Sequence, residues 1–310
     1  DTSYMLYEQF PEGLTYISQS NVLVEEGLWV SLQGYETKIF LHVREVLDKD
    51  GSYEALCKKL DGRGTRSFER DLLWVKMAPL HKSLENFASS DMIDFVHQVV
   101  SEYNTTSKDI RKYVLLAGEA YARFSTVYEL LLPSTKETIE KPVKEVQPKD
   151  MLQLIQNFTS CFIHDSQQSF FTIGGSLIQE LPMLVNASFL LNIFINPDNT
   201  IEKALTISDN LVLEKIFSNL ASTIKIESEY RLRQILQGAA LLTIIPPCIN
   251  EELQKEAPNY KECLSSLLHD EGFKEYIGYN VHNNIIYYRK ESLQEAIYLL
   301  TLSVSMKLGS

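Results

Sequence analysis

The hydrophobic pattern of this sequence changes its period near residue 48. Between Tyr35 and Val46, apolar and polar residues alternate with a period of two, the pattern of a half-buried β-strand. Beyond that point, apolar residues recur at the spacing of an α-helix almost to the carboxyl terminus. We therefore predict an α+β fold that is mostly α, with a small antiparallel β unit over residues 1–48 and a large multi-helix domain over residues 49–310.

The β unit is expected to contain about four strands, because aromatic and apolar runs alternate with turn residues. In the last strand, Ile39, Leu41 and Val43 are predicted to share one face. An antiparallel unit of this size is marginally stable alone, so one face is expected to pack on something else. The predicted strands cover residues 3–10, 14–17, 28–32 and 35–46.

Turn and capping residues set the predicted limits of the helices. Asp50 or Ser52 is expected to accept backbone N–H hydrogen bonds at the start of the first helix, and residues 61–64 (DGRG) are expected to end it. Pro79 is predicted to open a helix and Pro182 to kink or interrupt one. Other helices are predicted over residues 67–74, 90–103, 106–132, 149–163, 176–195, 208–223, 227–244, 250–257, 260–268, 270–277 and 290–307, with residues 280–288 either a loop or a short strand.

Residues 133–149 break the helical pattern. This stretch holds three prolines and mixed Lys and Glu, with few apolar residues. We predict an exposed connection inside the helical region.

The charge balance limits the classes of partner. With a net charge of −12 over 310 residues, the chain has no excess of positive charge to neutralise phosphates, so nucleic acid is not an expected partner. No apolar run reaches the length of about 18 residues typical of a membrane span, so a membrane is not expected either.

The four cysteines, Cys57, Cys161, Cys248 and Cys263, lie far apart in the sequence and form no CxxC pair. Buried free thiols are the favoured interpretation, in keeping with a cytoplasmic location. Two disulfides remain the alternative if the protein is exported.

The sequence contains no motif for a cofactor and no histidine pair at the spacing of a metal site, so no metal and no cofactor are predicted. Two His-Asp pairs, at residues 164–165 and 269–270, are interpreted as polar residues at helix ends. No two carboxylates are placed by the sequence at the separation of a glycosidase pair. We therefore expect no catalytic residue in this chain.

Three stretches carry a resemblance to a known family. They are residues 26–35 (EGLWVSLQGY), 40–46 (FLHVREV) and 60–64 (LDGRG), followed by Ser67-Phe68. Together they resemble the region that follows the catalytic barrel in a group of large bacterial α-amylase-family glycoside hydrolases. Thr65-Arg66 departs from the Val-Pro usual in that group.

The resemblance implies a non-catalytic role. The catalytic acids of that family lie at the ends of barrel strands, and no position of this sequence matches them. The expected function is that of a C-terminal accessory region of an enzyme acting on α-glucans, with a structural or carbohydrate-contacting role. The expected partners are the catalytic barrel of the same protein and, as a further candidate, an α-glucan.

Three aromatic residues, Trp29, Tyr35 and Trp74, are the candidate carbohydrate contacts, because the C–H faces of sugars pack on aromatic rings. Core packing is the favoured interpretation of the same residues. An alternative function is a helical protein-interaction or scaffold domain with no link to sugars. A third is an independent hydrolase that uses carboxylates such as Asp165 and Asp270.

Overall fold

A computed structural model describes residues 2–89, 91, 94, 115, 118–119, 122–128, 175–226, 228–255 and 259–308. The chain divides into two compact units, Asp1–Pro79 (unit 1) and Leu80–Ser310 (unit 2). The predicted fold class is confirmed, because the described residues are mostly helical and a small antiparallel sheet lies at the amino terminus.

Unit 1 contains a three-stranded antiparallel sheet in the order β2-β1-β3. The prediction of about four strands is wrong, because residues 20–26 form a helix and residues 28–32 form no strand. The elements are β1 (Thr2–Phe10), β2 (Leu14–Gln19), α1 (Ser20–Glu26), β3 (Ile39–Asp48), α2 (Ser52–Leu60) and α3 (Phe68–Leu84), which continues past the end of unit 1 at Pro79.

A β-bulge interrupts the pairing of β3 with β1. Two residues of β3, His42 and Val43, lie between Leu41 and Arg44 where β1 has only one. His42 adopts a left-handed conformation with φ 52°. A bulge shifts the alternation by one residue, so Val43 lies on the face opposite Leu41 and the predicted shared face is wrong.

One face of the sheet packs on helices α2 and α3. Tyr4, Leu6 and Ile17 point to this face and form one core with Leu56 of α2 and Phe68 of α3, all at most 4% exposed. The sequence pattern predicted a boundary between the β unit and the helical domain after residue 48. The compact unit extends to residue 79 because these helices bury the sheet face.

The predicted limits of α2 are confirmed. Asp50 Oδ1 accepts a hydrogen bond from the backbone N–H of Ser52 at 3.1 Å, and Asp48 Oδ2 accepts one from the N–H of Glu54 at 2.9 Å. These carboxylates satisfy amide groups that the first turn leaves without helical partners. Asp61, in the left-handed conformation, ends the helix.

The described part of unit 2 consists mainly of helices. After a short 3₁₀ turn, Glu85–Ala88, they are α4 (Gly175–Leu191), α5 (Ile201–Asn210), α6 (Glu214–Thr223), α7 (Glu229–Leu241), α8 (Pro247–Leu253), α9 (Tyr260–Leu267), α10 (Glu271–Ile277) and α11 (Lys290–Leu308). Helix α7 packs against four other helices, α4, α5, α6 and α11. It is therefore the central helix of this group. Its inner residues, such as Ile235 and Ala239, are fully buried.

Several helix limits differ from those predicted. Pro79 lies inside α3 instead of opening a helix, and α4 continues through position 182 without a break. The helix predicted over residues 208–223 begins instead at Ile201 and divides into α5 and α6 at Val212, whose φ is 49°.

The structure resolves the alternative left open for residues 280–288. They form a hairpin of β4 (Asn280–His282) and β5 (Ile285–Tyr287). Asn283 and Asn284 make the two-residue turn with φ values of 50° and 60°. Two positive φ values suit the twist of a tight hairpin, and asparagine tolerates them.

Several predictions fall outside the described residues. These are the connection at residues 133–149 and the helices at 90–103 and 149–163, apart from isolated positions. Of the helix predicted over 106–132, residues 122–128 are described and helical. Within the described ranges, no helix combines the length and apolar character needed to cross a membrane.

Candidate docking and carbohydrate-contact surface

Strand β3 lies at the edge of the sheet and exposes large apolar side chains. Ile39, Leu41, Val43 and Leu47 are 42–59% exposed. Among the residues that the structure describes, β1 is its one strand neighbour, so the other backbone edge of β3 pairs with no strand. A long apolar edge strand is a template for association with another chain, and proteins usually cover or charge it.

The segment before β3 exposes further aromatic and aliphatic residues. Trp29 is 88% exposed and Tyr35 is fully exposed. Local polar contacts hold this segment: Lys38 Nζ donates to the Ser31 carbonyl at 2.9 Å and forms an ion pair with Glu36. The segment therefore makes polar contacts within itself while its apolar side chains face solvent.

We call residues 28–47 the outer segment. Its exposed large apolar residues are Leu28, Trp29, Val30, Leu32, Tyr35, Ile39, Leu41, Val43 and Leu47. Monomeric soluble proteins rarely leave large apolar patches exposed. The outer segment is therefore the candidate site for contact with a partner.

The three predicted carbohydrate contacts have different surroundings. Trp29 and Tyr35 lie on the same connection between α1 and β3, and core packing does not describe them because both are exposed. Trp74 lies half-buried on α3, with the Lys59 ammonium over its ring. Contact of these rings with sugar stays a prediction.

Sequence reasoning missed an aromatic cluster on the sheet face opposite the helices. Tyr7 stacks on Tyr16 with ring centroids 5.6 Å apart, and Phe40 meets both rings edge-on. Tyr16 donates its hydroxyl hydrogen to Gln9 Oε1 at 2.8 Å. Because Tyr7 and Gln9 are at most 8% exposed, this cluster is part of the packing of the sheet. The two tyrosines are cross-strand partners. The alternation of side chains along β1 and β2 could have predicted that they share a face.

The bulge in β3 brings a histidine to a carboxylate. His42 Nδ1 lies 2.8 Å from Glu8 Oε2 on the neighbouring strand, and both side chains are exposed. An exposed contact between two side chains contributes little stability. The two polar side chains lie at the bulge, next to the exposed apolar residues of β3.

Unit 2 contains a half-buried polar cluster that sequence reasoning also missed. Arg231 on α7 binds Glu180 on α4 and Glu295 on α11, and the hydroxyl of Tyr276 donates to Glu295 at 3.0 Å. Burial disfavours the charged form of Arg231, but its hydrogen bonds and ion pairs with the two glutamates outweigh this and raise its pKa. Burial raises the pKa of Tyr276, and the charge of Glu295 adds to the effect.

This cluster connects helices and does not resemble a hydrolytic pair. Proton transfer at a glycosidic bond needs two carboxyl groups that flank the substrate. Here one guanidinium binds both Glu180 and Glu295. The arrangement fits a structural contact among α4, α7 and α11.

The His-Asp pair at residues 269–270 lies at the start of α10. Asp270 caps α10 by accepting a hydrogen bond from the N–H of Phe273 at 3.0 Å, and His269 contacts the Ser265 carbonyl. The interpretation of His269 and Asp270 as helix-end residues is confirmed. The pair at residues 164–165 lies outside the described ranges. Over the described part of the chain, no three His, Cys, Asp or Glu side chains group as metal ligands would.

Comparison with known proteins gives no match: no family model, no curated protein and no solved structure corresponds to this chain. Support for a function therefore comes from the motifs in residues 26–68 and from the exposed outer segment.

Proposed function

We propose that this chain is a non-catalytic C-terminal accessory region of an α-amylase-like enzyme acting on α-glucans. In this proposal, the outer segment lies against the catalytic barrel of the same protein. One observation carries it: the residues that resemble the family, 26–35 and 40–46, are largely the same residues that unit 1 leaves exposed. A partner that covers the outer segment accounts for both features.

The physical driving force for this contact is burial of apolar surface. Each large side chain moved from solvent into an interface contributes on the order of 1–2 kcal/mol. The free edge of β3 adds backbone hydrogen-bonding groups that a neighbouring chain can satisfy. The side chains of Ile39 and Leu41 lie beside that edge, so apolar contact and backbone pairing are available together.

The aromatic residues of the outer segment suit a second contact, with the glucan itself. An exposed indole such as that of Trp29 offers a flat face to the C–H groups of a glucose ring. The parent enzyme would cleave or transfer α-glucosidic bonds with two carboxylates of its barrel. This chain would contribute packing and a glucan contact, and its own carboxylates would take no part in the chemistry.

The alternative is a protein-interaction or scaffold domain with no link to sugars. The same exposed outer segment supports it, because an apolar edge strand also binds partners unrelated to carbohydrate. The gene sequence upstream of the codon for Asp1 distinguishes the accessory region from the scaffold domain. We expect roughly 400 or more barrel-like residues to be encoded upstream, and their absence would favour the scaffold.

Calorimetry tests the glucan contact. The purified chain is titrated with maltooligosaccharides and amylose, and the same sample is assayed for hydrolysis. We expect binding without hydrolysis, with affinity lost in Trp29→Ala and Tyr35→Ala. Tyr288→Ala is the matched control, since Tyr288 is an exposed tyrosine of unit 2. Hydrolysis would contradict a non-catalytic role, and binding that survives both substitutions would exclude the outer segment as the glucan site.

Limited proteolysis of the full-length enzyme tests docking on the barrel. Leu47→Lys puts a charge at the proposed interface, so we expect faster cleavage within residues 27–38 than in the unmodified enzyme. Ile286→Lys is the control, because Ile286 is equally exposed but lies on the β4–β5 hairpin of unit 2. Equal cleavage rates in the two variants would argue against docking through β3.

A further inference from the structure

The β4–β5 hairpin is a second exposed apolar surface, and it belongs to unit 2. All of residues 280–288 are exposed. The large apolar residues among them, each 50–55% exposed, are Val281, Ile285, Ile286, Tyr287 and Tyr288. Val281 lies opposite Ile286 across the two strands, so these two side chains share one face. Their neighbours Ile285 and Tyr287 lie on the other face, so both faces of the hairpin carry exposed apolar side chains.

The hairpin also has free backbone edges. Over the described part of the chain, β4 and β5 pair only with each other. A two-stranded hairpin is marginally stable at best in water, and a third strand or a covering surface stabilises it. An extended peptide can add to such an edge through backbone hydrogen bonds while its side chains contact the faces of the sheet. The hairpin therefore offers backbone pairing and apolar contact to an extended segment.

The fold holds the Arg289 side chain in place at the base of the hairpin. The backbone N–H of Arg289 donates to the Ile277 carbonyl at 2.9 Å, and its Nη2 donates to the Tyr276 carbonyl at 2.9 Å. Its Nη1 donates to the Tyr230 hydroxyl. Its Nε lies over Gly278, where an added Cβ would be only 2.7 Å away. These contacts fix the guanidinium and leave some of its N–H donors unused, Nε among them.

Arg289 has no carboxylate partner among the described residues. The two arginines of α7 differ from it, since Arg231 and Arg233 each bind a carboxylate of another helix. Glu291, the next acid along the chain, lies in the first turn of α11 and does not pair with Arg289. We call residues 280–290 the basic hairpin, because they end in adjacent Arg and Lys and contain no Asp or Glu, in a chain of net charge −12.

We propose that the basic hairpin binds an acidic, extended segment of another protein. A carboxylate of that segment binds the Arg289 guanidinium, whose flat array of N–H donors matches the two oxygens of a carboxylate. Apolar side chains of the segment cover those of the hairpin, and its backbone pairs with a free edge. Lys290 adds positive charge beside Arg289. This proposal does not depend on the proposed role in glucan metabolism, since the basic hairpin lies outside the outer segment.

The charge of the whole chain favours a short segment over a larger polyanion. A membrane surface or a nucleic acid presents negative charge over a broad area, and the net charge of −12 repels it. A short segment interacts mainly with the charges near it, because salt screens exposed charges beyond about 8 Å at physiological ionic strength. Near the basic hairpin those charges include Arg289 and Lys290. Apolar residues between the acids of the segment then match the exposed side chains of the strands.

The test is selection of binders from a library of random short peptides displayed on phage, with the full chain as bait. Peptides that also bind the Arg289→Gln chain are removed. We expect the remaining peptides to combine Asp or Glu with apolar residues. Fluorescence anisotropy of a labelled peptide should then show affinity weakened about tenfold or more in Arg289→Gln. Arg63→Gln is the matched control, because Arg63 is an exposed arginine of unit 1, and it should leave the affinity unchanged.

A second variant keeps the test decisive if Arg289→Gln disturbs the fold. Lys290→Glu places an acid in the first turn of α11, where a negative charge suits the helix, and it should also weaken peptide binding. Selected peptides without acids, or affinity unchanged in both variants, would overturn the proposal. So would binding of phosphatidylserine vesicles or single-stranded DNA that Lys290→Glu abolishes. A dimer in sedimentation that Ile286→Lys dissociates would assign the surface to a second copy instead.

Discussion

Arg231 donates hydrogen bonds from Nε to both carboxylate oxygens of Glu180, at 3.0 and 3.1 Å, across 51 positions of sequence. The side chain of Glu180 is 10% exposed and that of Arg231 is 26% exposed. Taking the Glu180 carboxylate out of water costs free energy, and the ion pair with Arg231 offsets that cost. The contact therefore ties α7 to α4 through Arg231.

Arg231→Ala should lower the free energy of unfolding of unit 2 by about 3–5 kcal/mol, because it leaves two glutamates without their cation. Urea unfolding followed by far-UV circular dichroism measures this, since helices dominate unit 2. Lys215→Ala is the control: its ion pair with the exposed Glu229 should contribute less than about 1 kcal/mol. Similar losses in both variants would contradict the assigned importance of Arg231.

His81 should make unit 2 less stable in mild acid. Its Nε2–H donates to the Leu211 carbonyl at 2.7 Å, and Nδ1 is buried without a partner. Burial lowers the pKa of His81, and the nearby charges of Glu214 and Glu85 oppose this only in part. The unfolded chain therefore takes up the proton first as pH falls, so stability is present above the ordinary histidine pKa and is lost below it.

Unfolding measured across pH checks this effect. Below pH of about 6.5, the free energy of unfolding should fall by up to about 1.4 kcal/mol per pH unit in addition to the contribution of other groups. His81→Gln should remove this part of the slope. His282→Gln, which changes an exposed histidine on β4, should retain it. An unchanged slope in His81→Gln would show that other groups cause the acid sensitivity.

Truncation of two leucines of unit 1 should change its stability by very different amounts. Leu56 is fully buried against the sheet, so Leu56→Ala should cost about 3 kcal/mol. Leu47 is 56% exposed, so Leu47→Ala should change stability by about 0.5 kcal/mol or less. Both tryptophans lie in unit 1, so their fluorescence reports this unit. A large loss in Leu47→Ala would mean that the outer segment is part of the core of the isolated chain.

Gly272→Ala should separate α10 from α5. A Cβ atom at Gly272 would lie 2.5 Å from the backbone N and Cα of Glu202, and backbone cannot move aside cheaply. We expect a loss of about 2 kcal/mol or more in the unfolding free energy of unit 2. Gly34→Ala is the control, since no atom lies within 4 Å of its added Cβ. An unchanged thermal midpoint in Gly272→Ala would contradict the close approach of these helices.

Much of the local structure could be predicted because its causes are local. The period of two in residues 35–46 indicated β3, and the carboxylate of Asp50 with the turn at Asp61 indicated the limits of α2. Asp270 was likewise interpretable as a helix-end residue. Each of these signals acts within a few positions of sequence, where hydrogen bonding and backbone preference are decisive.

The candidate site was only partly predictable, for a physical reason. Trp29 was named from its residue type, but burial depends on what the rest of the chain covers, so its 88% exposure was decided by the tertiary structure. The bulge at His42 depends on pairing with β1. The contact of Arg231 with Glu180 joins separate helices. Sequence alone determined the fold class and the local turns, while the tertiary structure decided which distant side chains meet and which remain exposed, because long-range packing sets both.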